Sequence, residues 1–530
     1  MTERIAAPFH ALTVLAAVLL PALPAAGQAD STPQPLYGNL GPHARAITTS
    51  SDSAQTYFNE RLQFMNAFGT PSALRSFREA QKYDPECAMC YWGEAWALSP
   101  YLNGGMNVER EREAYEAIQK AKARARHATA VERDLIDAFV VRYAEQPTSE
   151  GRRRLDSLYA KAIGEVSLRY PDDLDIATLR GESLMLLRPR RGSVDLEDPS
   201  VQEILPIFES VLERDIEHPG ACHLYVHLVE ASPEPERAEA CADFLGDAIP
   251  GASHIRHMPS HIYVNIGRYG DAVRANQNAW HVDQQAAYGG PPGIYPSHNL
   301  HMMLYGAVLD GQSAVAIQAA KDLAKIARMS SFYHPVTLAI FGRWDEVLQL
   351  DDAPDDPFLE AMWRFARGMS HLRTDDMERA KADLARLTEI IEQRPDSARF
   401  RFHPQPILLQ IPRGILAAEI AAAVGRWDDA VSLLEHTASV EDGLVYDEPE
   451  PWHLPARQTL GAVLLEMNHG ADAERVYREA LADHPNNGWS LFGLAQALRA
   501  QGKDAEAGRV HEDYERYWAR RVIWMRSSRF

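Results

Sequence analysis

Apolar and polar positions along this chain alternate at helical spacing, and a ladder of small and large side chains returns every 34 residues. The clearest copy lies near the C-terminus. Leu460 and Gly461 are followed by Ala473, Tyr477, Ala480 and Pro485, and one period later Leu494, Ala495 and Ala507 begin the ladder again. Ala73, Phe77, Ala80 and Pro85 repeat it near the N-terminus, and Gly368 with Ala380 supplies another pair. "GRYGDA" (Gly267 to Ala272) and "GRWDDA" (Gly425 to Ala430) mark turns between helices. Small residues let two helices approach closely, and large ones fill the groove between them.

One such helix pair cannot bury its own apolar face, so successive pairs stack on a shared core. The pattern predicts an all-α tetratricopeptide-repeat superhelical solenoid over 30–530, with eight to eleven helix pairs and a concave face lined by the first helix of each pair. The repeats are most regular at about 450–515. Between Ala380, Ala430 and Ala473 the ladder stretches, which predicts irregular helices or loops there. "RPRRGS" (Arg188 to Ser193), "GGPPGIYP" (Gly289 to Pro296) and "DDAPDDP" (Asp351 to Pro357) read as loops between repeats. No strand-rich region stands out.

Residues 1–29 break the pattern. Arg4, an apolar run from about Ala11 to Leu20, Pro21 and the small residues from Ala25 to Ala29 predict a secretory signal cut near Gly27 or Ala29. The mature chain is therefore expected to be periplasmic or secreted. An exported chain with four cysteines is compatible with two disulfides. Cys222 and Cys241 fall on the two antiparallel helices of one unit, within bridging reach, and Cys87 with Cys90 would close a short loop. A redox role for Cys87 and Cys90 lacks the strand and helix alternation it needs nearby. Haem attachment needs His after the second cysteine, where the chain has Tyr91.

The balance of 54 basic against 74 acidic side chains leaves a formal charge of −20, which repels phosphate backbones and anionic membranes. No nucleic-acid partner is expected, nor a membrane span after signal removal.

The histidines change the picture. Nine of the 20 lie between His218 and His301, where an even spread would place about three. With Ala238, Ala272 and Ala316 set to the same repeat position, His223, His257 and His301 become equivalent. So do His227 and His261, with Tyr305, and so do His254 and His298. These positions share one side of the first helix with Glu230, giving a histidine-lined groove at about 218–305. Imidazoles one turn apart on one helix, joined by others from its neighbour, can converge on Zn, Cu, Ni or Fe. The candidate ligands are His223, His227, His254, His257, His261, His298 and His301. Glu230 and Asp283 are the candidate carboxylate ligands, orienting groups or catalytic bases. A metal-free polar groove accounts for the same pattern.

No phosphate-binding, dinucleotide, HExxH or GxSxG motif occurs. "YDEPEPWHLPAR" (Tyr446 to Arg457) reads either as a proline-stiffened loop or as the closure of the groove's other end. Trp92, Glu94 and Trp96 read as core and cap.

The segments "CAMCYWGEA", "HMPSHIYVNIGRYGDA", "SHNLH" and "NGWSLFGL" resemble a family of exported bacterial tetratricopeptide-repeat proteins. The resemblance spans most of the mature chain and implies fold and export, with no reaction attached. It departs at Gly69, where the similar proteins tend to carry a histidine. The expected function is metal binding in the groove, with a peptide, protein or small-molecule ligand held there. A metal-dependent hydrolase or oxidase and a metal-free interaction scaffold are the alternatives.

Overall fold

Twenty-six α-helical segments follow one another through a computed structural model that describes residues 35–189, 192–350 and 353–530. The expected signal at 1–29 lies outside the described residues. Helices pair antiparallel and each pair packs on the next: Asp52–Asn66 with Thr70–Tyr83, Pro357–Arg373 with Met377–Gln393, Gln410–Ala423 with Trp427–Asp442, Ala456–Glu466 with Gly470–Asp483, and Gly488–Ala500 with Asp504–Tyr517. The chain is an all-α tetratricopeptide-repeat solenoid, as the register predicts. The sheet among the described residues is one ribbon, Arg399–Phe400 against His403–Pro404, in the stretch where the ladder lengthens.

Capping side chains start the helices. Ser51 accepts a hydrogen bond from the Ala54 amide, and Thr129 with Glu132 forms a reciprocal capping box. The predicted turns end them: Gly267 and Gly425 both take φ of +76°, and the next amides, Arg268 and Arg426, reach back to the Tyr263 and Ala421 carbonyls at 2.7 and 2.9 Å. At Gly461 a methyl group would run into the Tyr477 ring, so this glycine sets how closely neighbouring helices approach.

Two large apolar clusters fill the interior, and they meet on the Tyr269–Gln285 helix, where Ala272 belongs to one and Val273 to the other. Both expected disulfides are present. Cys222 and Cys241 join the Pro219–Val229 and Glu239–Ala248 helices across 4.9 Å between Cα atoms, and Cys87 joins Cys90 at the start of Ala88–Leu98. Among the described residues one helical stretch, Gln405–Ala423, is by length and composition able to cross a membrane. It is 67% buried and packs among neighbouring repeat helices, which is the environment of a core helix.

Candidate metal centre

Three successive first helices carry the imidazoles. His218 caps the Pro219–Val229 helix, whose His223 and His227 lie one turn apart. The next, Ser253–His257 and Pro259–Asn265, is interrupted only at Met258, which keeps helical angles (φ −52°, ψ −37°). The three-then-four spacing of His254, His257 and His261 therefore keeps all three on one side. Pro296–Leu309 contributes His298 and His301.

These side chains do not form one wall. They form two triads: His223, His227 and His254, and His257, His261 and His298, each with ring nitrogens within 4.8 Å of one another. Inside the first triad the His223 and His254 Nε2 atoms are 3.2 Å apart. Inside the second, His261 Nε2 lies 2.8 Å from that of His257 and 3.5 Å from that of His298. Imidazoles sharing a tetrahedral ion at about 2.0–2.1 Å each have nitrogens about 3.3 Å apart.

Proton positions follow from what the far nitrogens touch. His223 Nδ1 is 2.6 Å from the Asn66 carbonyl oxygen, which can only accept. His227 Nδ1 is 2.8 Å from Glu230 Oε1, and His261 Nδ1 is 2.6 Å from Glu230 Oε2 and 3.2 Å from Glu448. His257 Nδ1 faces Asn276 Oδ1 at 2.7 Å, an orientation set by the Asn276 amide donating to the Ala272 carbonyl. Three of the six rings, His223, His227 and His257, thus carry the proton on Nδ1 and turn a bare Nε2 lone pair into the triads, while His261 meets Glu230 as an ion pair without hydrogen-bond alignment. The His227 Nε2 is buried with no hydrogen-bond partner. Facing lone pairs at such distances repel unless a cation, or a proton carried by His254, His298 or the charged His261, lies between them.

Burial and neighbouring imidazoles hold His223, His254 and His257 well below the usual histidine range, and His298 likewise. They are neutral, as ligation requires. Burial opposes charge on His261 too, but the Glu230 and Glu448 carboxylates outweigh it and push this ring up to about 10. Its extra proton sits where an ion would, on the Nε2 facing His257. Burial also works against ionised Glu230, yet His261 and His227 hold its carboxyl well below the usual carboxylate range.

Backbone strain concentrates around these rings. Among the described residues, six other than glycine have left-handed backbone angles; Asp375, Asn468 and Asn486 are types that tolerate them. The other three, Phe68, Tyr295 and Arg401, are bulky, and all three pack on the histidines. The Phe68 ring lies 4.2 Å from that of His223, Tyr295 meets His254 edge-on at 5.0 Å, and Arg401 bonds His301. Tyr295 also precedes Pro296, where helical angles are disfavoured.

Two cavities open beside the triads. One, of 580 Å³, is lined by His227, Glu230, Tyr295, His298, Arg401 and Glu448. The other, of 480 Å³, is lined by His261, Tyr305, Glu441, Glu450 and His484. The loop carrying Tyr446, Asp447 and Glu448 borders both.

Two predicted residues stand apart from the triads. Arg401 donates to His301 Nδ1 at 2.9 Å, which places the His301 proton on Nε2, and that atom lies 3.2 Å from His453 Nε2. A guanidinium and a hydrogen-bonded partner occupy both nitrogens. Asp283 accepts from Asn299 at 2.7 Å and lies beside Gly293, where it supports the loop ahead of Pro296. Glu230 sits between the triads with each oxygen on a different imidazole. Asn66, Phe68, Asn276, Tyr295 and Arg401 were not expected at the site. Asn66 acts through its backbone carbonyl, which no side-chain pattern could mark. The 446–457 segment does reach the groove, through Glu448 and His453.

No family model and no curated protein matches the sequence. Among solved structures, the APC/C hetero-tetramer Cut9–Hcn1 aligns over 88% of this chain and 74% of that chain, at 12% identity and a TM-score of 0.30. Kinesin light chain nearly identical TPR-like repeats from Podosopora anserina align over 44% of this chain and 100% of theirs, at 16% identity and a TM-score of 0.24. A single-substitution variant of those repeats covers 43% of this chain and is itself covered over 97%, at 17% identity and a TM-score of 0.25.

Proposed function

We propose that this chain is an exported metal-binding solenoid that holds a transition metal on His223, His227, His254, His257, His261 and His298 and takes a small-molecule or peptide ligand from the adjoining cavity. The observation that carries the reading is the convergence of six imidazoles in two triads, of which His223, His227 and His257 are tied through Nδ1 to oxygen acceptors and so present Nε2 to the interior. That is how proteins orient histidines around a metal. An all-nitrogen set suits Zn, Cu, Ni or Fe. Two disulfides support export to an oxidising compartment. A ligand reaching a vacant coordination position would pass His227 and His298, which line the 580 Å³ cavity.

Elemental analysis of protein grown with Zn, Cu, Ni and Fe, beside His257→Ala, tests this reading. Metal in the wild type that falls by half or more in the variant, with helicity unchanged by circular dichroism, is the expected result. No metal in either sinks it and favours a metal-free groove for a peptide or protein partner.

Glu448 favours a second reading, in which the metal activates water for hydrolysis. Glu230 is held by two imidazoles and Asp283 by its own loop, whereas the Glu448 side chain is 32% exposed and borders both cavities. It is the carboxylate placed to accept a proton from such a water.

A further inference from the structure

We infer that the chamber holds two metal ions rather than one, one in each histidine triad, and that Glu230 couples them by orienting a ligand of each. This deepens the metal-binding reading and rests on it. The two nitrogens of an imidazole point out of opposite sides of the ring. Glu230 Oε1 accepts from His227 Nδ1 at 2.8 Å, and its Oε2 forms an ion pair with His261 Nδ1 at 2.6 Å, out of line for a hydrogen bond; both rings turn Nδ1 to the carboxylate and Nε2 away from it, one into each triad. The Nε2 contacts agree: His223 with His254, His257 with His261, and His261 with His298 all fall inside a single triad. A single ion in the second triad would leave His227 Nε2 buried in the first without any partner, and a single ion in the first would leave only the extra proton of His261 to join the rings of the second.

The two halves are built alike. Each triad has one ring fixed by a neutral oxygen, His223 by the Asn66 carbonyl and His257 by the Asn276 side chain, and one fixed by Glu230. Each also has one member on the 580 Å³ cavity, His227 and His298, so both ions could take an oxygen ligand from the same space. Three imidazoles leave at least one coordination position open per ion, the arrangement found where metals meet substrate or water. Glu230 and Glu448 supply negative charge between and beside the ions, which two neighbouring dications require.

The test is a titration of metal-free, full-length protein with Co²⁺, read by visible absorption and checked by elemental analysis. The wild type should bind two equivalents, and His254→Ala and His298→Ala should each bind one. His227→Ala, at the cavity wall, repeats the first-triad arm if His254→Ala folds poorly. Glu230→Gln keeps every ligand, so it should still bind two ions, both about 10–100-fold more weakly, because the amide cannot hold both imidazoles as the carboxylate does. One equivalent in the wild type that either alanine variant abolishes overturns the two-ion inference while leaving metal binding intact. Wild-type affinity for both ions in Glu230→Gln overturns the coupling. No Co²⁺ binding by the wild type is instead the failure of the metal reading itself.

Discussion

His43, Asp175 and His218 bring ring and carboxylate atoms within 4.8 Å, as His223, His227 and His254 do one helical turn along, yet the two clusters differ in where their protons lie. His218 Nδ1 accepts the Ala221 amide at 3.1 Å, which forces its proton onto Nε2 and toward Asp175 Oδ1 at 3.2 Å. His43 Nε2 reaches the same oxygen at 3.0 Å, and Arg45 takes the other at 2.9 Å. Every lone pair facing inward already has a donor. In the triads the acceptors of His223, His227 and His257 lie outside and their lone pairs face in. Residue type and distance alone would rank the two clusters together; the Nδ1 hydrogen bonds of His223, His227 and His257 are what set the triads apart and what the proposed metal binding rests on.

The sharpest way to break this contrast is to exchange the losses. Asp175→Asn removes the charge that holds Arg45 and two histidines, and loss of one partner from a largely buried ionic cluster costs about 3–5 kcal/mol, less here because Asp175 keeps 20% of its side chain exposed. Urea unfolding should show that loss, while metal bound per folded chain stays constant. His298→Ala should do the reverse: it removes one triad ligand yet changes metal-free stability by under about 1 kcal/mol, since the ring borders a cavity. If Asp175→Asn strips metal, or His298→Ala leaves it in place, the assignment of roles fails.

A smaller effect sharpens the same comparison. The Cys222–Cys241 disulfide, with a sequence separation of 19, anchors the helix that carries both His218 and His223. Closing a loop of that length contributes about 3 kcal/mol on the chain-entropy account. Cys222→Ala with Cys241→Ala should lower stability by about that amount and weaken the first triad. The second triad, on the next two helices, should keep its ion. Equal loss from both triads would mean that the disulfide acts on the whole groove.

How far the sequence discloses this arrangement depends on distance along the chain. The 34-residue ladder places the helix pairs and their turns, because Gly267, Gly425 and Gly461 each answer a local steric demand. It also places His223, His227, His254, His257, His261 and His298 on one side, because neighbouring helices repeat their register. It cannot separate six imidazoles into two triads, since that depends on the pivot Glu230 makes between His227 and His261. His301 shows the limit most clearly. Its repeat position matches His223 and His257, but Arg401 and His453, about 100 and 150 residues away, occupy its nitrogens. The irregular stretch between Ala380 and Ala473 supplies both, so the part of the chain with the weakest repeat signal closes the groove.

The smallest predicted effect is a difference in pH response between the closed cluster and the second cavity. Burial works against ionised Asp175, but His218, His43 and Arg45 hold its carboxyl well below the usual range. Its folded value is depressed, so its stabilisation is present above about pH 3.9 and is lost as pH falls toward the folded value. His484 behaves oppositely. Burial disfavours its charge, yet Glu450 and Glu441 push it up to about 9, so its contribution is full below about pH 6.5 and lost as pH rises through 9. Burial pushes Glu441 up to about 8; the folded state therefore binds its proton more readily, and stability again falls as pH rises toward 8. Glu450 and Glu441 line the 480 Å³ cavity, and water there screens these terms, which makes the alkaline slope shallow. Urea unfolding of metal-free protein from pH 3 to 9 should therefore show a peak between a steep acid limb and a gentle alkaline one. Asp175→Asn should flatten only the part of the acid limb below about pH 4, because His223, His254, His257 and His298, held neutral in the fold, already lower stability as pH falls through about 6.5. Glu441→Gln should flatten only the alkaline limb. A stability profile below about pH 4 unchanged in Asp175→Asn would remove the closed cluster as its source there and, with it, the electrostatic half of the contrast between the two sites.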